Sequence, residues 1–137
     1  IIRIADWFGI RNVICSPDTV DIYNPKTIQS TMGSVCRVKV HYRQLAAFLS
    51  GYHDRDDFGI FGCFLEGTNI YQEDLSQRGL VVMGSESHGI SEELIPYIGN
   101  QLYIPFFYPD ANAAPESLNV SVATGIVCSE FRRRLTT

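Results

Sequence analysis

The sequence predicts an α/β domain, a mostly parallel sheet flanked by helices, on three observations. Five short runs are almost continuously apolar, as strands covered on both faces must be. Helical patterns separate them, the alternation that builds parallel sheets. Glycine-flanked loops follow several predicted strand ends, where open parallel sheets gather their ligands. At 137 residues, 1–137 is read as one domain, large enough to bury a core but too short for two.

Taken in order, Ile1–Phe8 reads as an amphipathic helix closed by Gly9, and Asn12–Cys15 as the first strand. Asn24 before Pro25 has the form of an N-cap followed by the first helical position, opening a helix over Pro25–Met32 that ends at Gly33. A strand at Cys36–Val40, a helix at Arg43–Leu49 and a strand at Ile60–Leu65 follow, the last two separated by the charged loop Asp54–Asp57. A short turn is expected near Tyr71–Leu75, then a strand at Leu80–Met83. Ser91 with Glu92 and Glu93 places acid in the first turn of a helix reaching Tyr97, where it favours the positive end of the dipole. A strand at Leu102–Ile104 leads through a loop to a final helix, Ser117–Arg134. In that helix Leu118, Val122 and Ile126 form one apolar row, and Val120, Ala123, Val127 and Phe131 an adjacent one. A face that wide is buried on more than one side, inside its own domain or against another subunit.

Composition narrows the function. Hydrophobic residues make up 45% of the chain and charged ones 19%, as in ordinary globular domains. No apolar stretch approaches the roughly 20 residues of a membrane span, and no segment resembles a signal peptide. The chain starts without Met and inside an amphipathic segment, so the domain is expected to be N-terminally incomplete. Cysteines 15, 36, 63 and 128 are scattered without a Cys-x-x-Cys pair and are expected to be reduced thiols, mostly buried. Histidines 41, 53 and 88 lack metal-ligand spacing, and no metal is expected. A net charge of −4 weighs against a nucleic-acid partner, but Arg132, Arg133 and Arg134 are consecutive, and Arg3 and Arg11 flank the first segment. The run of three is either a solvated helix end that suits the dipole or an RNA contact.

Three loops can carry chemistry: Leu65-Glu66-Gly67-Thr68, Gly84-Ser85-Glu86-Ser87-His88-Gly89, and the stretch from Ile104 to Asn119. Their glycines permit close backbone approach to a ligand, although ordinary strand-to-helix turns need glycine as well. The third ends in Ser117-Leu118-Asn119, at the start of a helix whose unpaired N–H groups point outward. A Gly-x-Gly-x-x-Gly fingerprint is absent, which argues against a dinucleotide-type Rossmann pocket, and there is no P-loop either. Ser85–Gly89 misses the Gly-x-Ser-x-Gly nucleophile elbow by its first glycine, and His41 and His53 precede the serine, against the chain order of that fold.

The order of these segments resembles the SpoU/TrmH-type RNA 2′-O-methyltransferases. Family members carry Ile-x-Arg-x-Ala-x-x-Phe-Gly, here Ile2-Arg3-Ile4-Ala5-Asp6-Trp7-Phe8-Gly9. They carry Gly-x-Glu-x-x-Gly after a strand, here Gly84 to Gly89, and Ile-Pro, a loop, then Ser-Leu-Asn-Val-Ser-Val-Ala, here Ile104-Pro105 and Ser117 to Ala123. Asn24-Pro25-Lys26 through Ser30 and Gly33 also has the family's look. Two features depart from it. The Asn that normally precedes the arginine would lie upstream of Ile1, and the loop from Pro105 to Ser117 is longer than usual, carrying Phe106-Phe107-Tyr108-Pro109 where the family has a glycine.

The resemblance implies an α/β-knot, a parallel sheet whose C-terminal segment threads a loop as a trefoil knot. General rules of chain topology would not predict such threading. It implies a homodimer packed through its first and last helices, and a cytoplasmic enzyme moving a methyl group from S-adenosylmethionine to a ribose 2′-hydroxyl of ribosomal or transfer RNA. By the same resemblance, Leu65, Gly67, Gly84, Glu86, Ile104, Leu118 and Asn119 hold the cofactor, and Arg3, Glu86, Ser117 and Asn119 serve catalysis. A catalytically silent relative that binds RNA or a protein partner through the same fold is the alternative.

Overall fold

The computed structural model describes residues 1–21, 23–31, 33–75, 78–107, 109–110, 112 and 117–135. Among the described residues, five strands form two parallel sheets. β1 (Asn12–Cys15) pairs with β2 (Lys39–Tyr42), Asn12 opposite Lys39 and Cys15 opposite Tyr42. β3 (Gly59–Asn69) lies between β4 (Gly79–Val82) and β5 (Asn100–Tyr103), with Ile60 opposite Leu80 and Phe61 opposite Asn100. The helices are α1 (Ile2–Trp7), α2 (Pro25–Thr31), α3 (Leu45–Ser50) and α4 (Val120–Arg133), with 3₁₀ turns at Ser34–Cys36 and Glu92–Tyr97.

Successive residues of β3 point to opposite faces, and each face has its own core. Ile60 packs with Leu49, Ile90, Leu94 and Ile98, joining α3 and the Glu92–Tyr97 turn to one side. Phe61 packs with Ile70, Leu75, Leu102 and Val127, which brings α4 to the other. Phe131, one turn beyond Val127, meets the Phe61 ring edge to face at 5.1 Å. The expected two-sided burial therefore holds for β3, whereas Val81 of β4 and Val122 of α4 are exposed.

Several boundaries differ from the sequence reading. Cys36 belongs to a 3₁₀ turn and β2 begins only at Lys39. Ser34 Oγ donates to Asp6 at 2.7 Å, and Arg37 Nε donates to the same carboxylate at 2.9 Å, fastening this turn to α1. β3 continues past Leu65 to Asn69 because its ladder resumes. Cys63 and Thr68 both face Leu102, so Phe64 to Gly67 are extruded between them. The segment after Ser91 is a 3₁₀ helix with Pro96 inside, not an α-helix. The predicted end at Met32 lies outside the described residues. Of the cysteines, Cys128 is buried, Cys15 and Cys63 are half-buried, and Cys36, expected within a strand, is exposed.

The C-terminal arginines resolve into separate roles. Glu130 is buried and accepts from Arg133 Nε at 2.9 Å and Arg134 Nε at 3.1 Å. Arg134 also donates to the carbonyls of Ile70 and Glu73, tying the end of α4 to the chain leaving β3. Two of the three arginines are thus structural, and both satisfy a buried carboxylate. The Arg133 hydrogen bond holds the Glu130 carboxyl below its ordinary value against the upward push of burial, with Arg134 adding to it. Stability from this group is therefore full above the usual carboxylate range and lost as acid titrates it below. Glu130→Ala removes the buried carboxylate that Arg133 and Arg134 share, a loss on the order of 3 kcal/mol. Its Tm should fall by roughly 5–10 °C, and an unchanged melting curve would show the cluster to be energetically idle.

Candidate active site

One loop is extruded within β3, and two leave the C-terminal ends of β4 and β5. The loop after β4 closes on itself: Ser85 N–H donates to the Gly89 carbonyl at 3.1 Å and Gly89 N–H returns to Ser85 at 2.9 Å. His88 N–H adds a bond to Ser85 Oγ at 3.1 Å. This turn requires Gly84, where a Cβ would lie 2.1 Å from the Gly89 carbonyl carbon. Glu86 is thereby raised on the turn, exposed.

The carboxylate meets the third loop. Glu86 Oε1 accepts from Asn119 Nδ2 at 2.7 Å and lies 3.4 Å from the Val120 N–H. Asn119 uses its other atom as an N-cap: Oδ1 accepts from Ser121 N–H at 2.9 Å and Val122 N–H at 3.4 Å. One amide thus satisfies the start of α4 and grips a loop 33 residues upstream. An anion at this helix N-terminus also has the favourable sign for the dipole. The expected helix start at Ser117 is corrected by this geometry, because the cap is Asn119 and α4 begins at Val120. Asn119→Ala should lower stability by about 1 kcal/mol through the lost cap. Asn119→Asp keeps the cap oxygen but sets two carboxylates together, so it should melt below wild type at neutral pH and recover towards pH 4. A pH-independent deficit would mean that Glu86 does not face this position.

The first loop is the extruded segment of β3. Gly67 has φ +142°, and a Cβ there would sit 2.4 Å from the Gln101 carbonyl of β5, so the close approach of these strands depends on it. The Leu65 side chain is 73% exposed and that of Leu118 47%, two apolar groups left open at loops that otherwise carry polar atoms. Ile104 packs against the core beneath the third loop, and Ser117 is exposed. Among the described residues, no hydrogen bond joins Leu65, Gly67, Ile104 or Ser117 to the Glu86–Asn119 pair. These residues share the strand-end loops without direct bonding.

Arg3 is not bonded to that pair. It is exposed on α1, and among the described residues no hydrogen bond or ion pair links it to Glu86, Ser117 or Asn119. α1 is held to α4 by Arg132, whose Nε donates to the Phe8 carbonyl at 2.7 Å. Ser87 Oγ lies 2.7 Å from His88 Nδ1, a pairing of neighbours on an exposed turn rather than a nucleophile with an oriented base. Sequence reasoning missed the Asp6–Ser34–Arg37 tie that steadies α1. Its only signal was an acid within an otherwise apolar helix face.

Comparison with known proteins adds a family. The model of the SpoU rRNA Methylase family matches residues 1–129. The chain is similar to the 23S rRNA (guanosine(2553)-2′-O)-methyltransferase RlmP of Bacillus subtilis (strain 168), 29% identical over 133 residues, covering 96% of this chain and 51% of that protein. Among solved structures, a TrmH-family protein from Porphyromonas gingivalis aligns with a TM-score of 0.86 at 38% identity, over 97% of this chain and 53% of that one. The AdoMet-bound rRNA methyltransferase of Sinorhizobium meliloti aligns at 0.85 and 28% identity, over 99% and 51%. The chain spans about half the length of the curated relatives it matches.

Proposed function

This chain belongs to the SpoU rRNA methylase family, and on that premise we propose that it transfers a methyl group from S-adenosylmethionine to a ribose 2′-hydroxyl of ribosomal or transfer RNA. The observation that carries the reading is the Glu86–Asn119 hydrogen bond at 2.7 Å, which unites two of the family's motif loops at the strand ends.

The residues present suit the cofactor. Extrusion of Phe64 to Gly67 withdraws backbone polar groups from the β5 ladder, which leaves them to be satisfied by water or a ligand. Open Leu65 and Leu118 side chains offer apolar contact for a purine. Backbone groups of Leu65, Gly67, Gly84, Ile104 and Leu118 would hold the adenosine and methionine parts, while Glu86, Ser117 and Asn119 orient the donor and the ribose. When bound, the sulfonium supplies an activated methyl group, so the protein's task is chiefly positioning. Held there, the donor would supply the methyl carbon for the ribose oxygen and depart as a neutral thioether, and the hydroxyl proton would pass to solvent, while Glu86, Ser117 and Asn119 keep donor and ribose aligned. Arg3 anchors a phosphate and stabilises the developing alkoxide. A protonated guanidinium has five donors and no acceptor, which suits that role better than proton abstraction.

Two features of the whole protein belong to the same proposal. A C-terminal trefoil knot rests on the resemblance to the family, with Arg134 fixing the end of α4 against the Ile70 and Glu73 carbonyls. A homodimer through the first and last helices is supported by the outer row of α4, where Val122 is 52% exposed beside Tyr71 over a shallow groove of about 430 Å³. The described helices include none long and apolar enough to cross a membrane.

Incubation with methyl-labelled donor and total rRNA or tRNA, followed by nucleoside mass spectrometry, tests the reading. A labelled 2′-O-methylnucleoside is expected. Donor binding without any methylated product would favour a silent relative, and absence of both would refute the assignment. Asn119→Ala should weaken donor binding by calorimetry, and an unchanged affinity would remove Asn119 from the pocket.

A further inference from the structure

Trp7 is the chain's sole tryptophan and its side chain is 85% exposed, the most of any large apolar residue described. It closes α1, four residues after Arg3, so both project from one helix face with Cβ atoms about 5–6 Å apart. Cations lie on the adjoining segments. Arg132 reaches the carbonyl of Phe8, the next residue. Arg11 follows shortly and is bonded through its carbonyl to the N–H of Lys39 at 2.8 Å, which sets both exposed side chains at the starts of β1 and β2.

The acids of this corner are already engaged. Asp6 is taken by Arg37 and Ser34, and Glu130 by Arg133 and Arg134. Arg3, Arg11, Lys39 and Arg132 have no ion-pair partner among the described residues. Residues 1–15, 33–42 and 119–135, which pack together, hold seven of the chain's 11 Lys and Arg but two of its 15 Asp and Glu. The acidic overall charge therefore conceals a positive corner with an aromatic ring in it.

We propose that Trp7 is a stacking platform for a base of single-stranded RNA beside the nucleotide whose ribose is methylated, with Arg11, Lys39 and Arg132 taking neighbouring phosphates. The inference rests on the RNA methyltransferase reading and deepens it by naming where the strand lies. An exposed indole among cations is the usual combination for single strands, because every base has a π-face and every nucleotide a phosphate. In the homodimer proposed through α1 and α4, a contact centred on this corner would set like charges against each other, and interface cores are depleted in lysine, so the corner belongs at the rim of that face. The apolar row around Val122 lies ten residues from Arg132 along α4, about 15 Å away, and leaves the corner open.

Trp7 provides its own probe. The chain is titrated with a mixed-sequence single-stranded RNA 12-mer while tryptophan emission is followed, with labelled-RNA anisotropy as an independent measure of binding. Saturable quenching is expected. Affinity should fall roughly 50-fold between about 50 and 200 mM salt for four phosphate contacts, those of Arg11, Lys39 and Arg132 and the one proposed for Arg3. Trp7→Ala should weaken binding about tenfold, Trp7→Phe should restore most of it, and Arg11→Glu with Lys39→Glu should weaken it further. Unchanged emission while anisotropy reports binding would overturn the proposal, as would equal affinity of Trp7→Ala. Emission that shifts to the blue with protein concentration and ignores RNA would assign Trp7 to a contact between copies and overturn it too. Thermal stabilisation by S-adenosylmethionine, measured separately, isolates the parent reading: donor binding without RNA quenching sinks the platform alone, whereas quenching without donor binding sinks the enzyme and leaves the platform.

Discussion

Arg3→Ala is expected to abolish ribose methylation, by about 100-fold or more in kcat, while the affinity for S-adenosylmethionine stays within roughly twofold. The division follows from position. Arg3 projects from α1, whereas the Glu86–Asn119 pair is assembled from the loop after β4 and the cap of α4. With no bond joining them among the described residues, truncating Arg3 should leave the proposed donor site standing. The exposed side chain also contributes little to the core, so the variant should melt close to the native protein. Arg3→Lys keeps a positive charge but loses the planar fork, and should retain part of the activity if the role is phosphate anchoring. Equal loss of donor binding and turnover would contradict the assignment.

Gly84→Ala is expected to remove donor binding altogether. The added methyl would lie 2.1 Å from the Gly89 carbonyl carbon and 2.3 Å from Ile90 N, backbone atoms that have no flexible side chain to yield. The turn must open, and with it go the Ser85–Gly89 bridge and the position of Glu86 against Asn119. Strain of this kind costs on the order of 1–3 kcal/mol, so the Tm should fall by several degrees. Stabilisation by the donor, which a ligand specific for the folded state must produce, should vanish. A Gly84→Ala protein stabilised by S-adenosylmethionine as well as the native one would show that the turn does not form part of the pocket.

Local patterns made much of this molecule readable. Asn12–Cys15 is a strand to the residue, because an apolar run between Gly9 and a proline-bearing turn has few alternatives. The Asn24–Pro25 start is real as well, with Asn24 Oδ1 accepting from Lys26 N–H at 3.0 Å. The misreadings share one cause, partners distant in sequence. The run at Cys36 resembles a strand, yet Ser34 is drawn to Asp6, 28 residues away, and β2 starts after that turn. Either Ser117 or Asn119 could cap the last helix by residue type alone. Asn119 does so, its amide also engaged by Glu86. Glu130, in a charged segment, reads as solvated, and only the folding back of Arg133 and Arg134 explains its burial.

The site was legible in part. Glu86 and Asn119, selected from separate motifs, do meet. Leu65 and Gly67 were placed at a strand end but lie in an extrusion within a longer strand, a register slip that no periodicity encodes. The lack of a bond between Arg3 and the pair among the described residues was equally invisible, since sequence order carries no information on where α1 stands beside the sheet.

Isothermal titration of the chain with S-adenosylmethionine, in the native form and with Gly84→Ala and Asn119→Ala, addresses the central claim most directly. The account predicts one donor per chain, no detectable binding after Gly84→Ala, and weakened binding after Asn119→Ala. Native binding that neither substitution disturbs would place the donor elsewhere on the molecule and contradict the convergence of these loops on one methyl-transfer site.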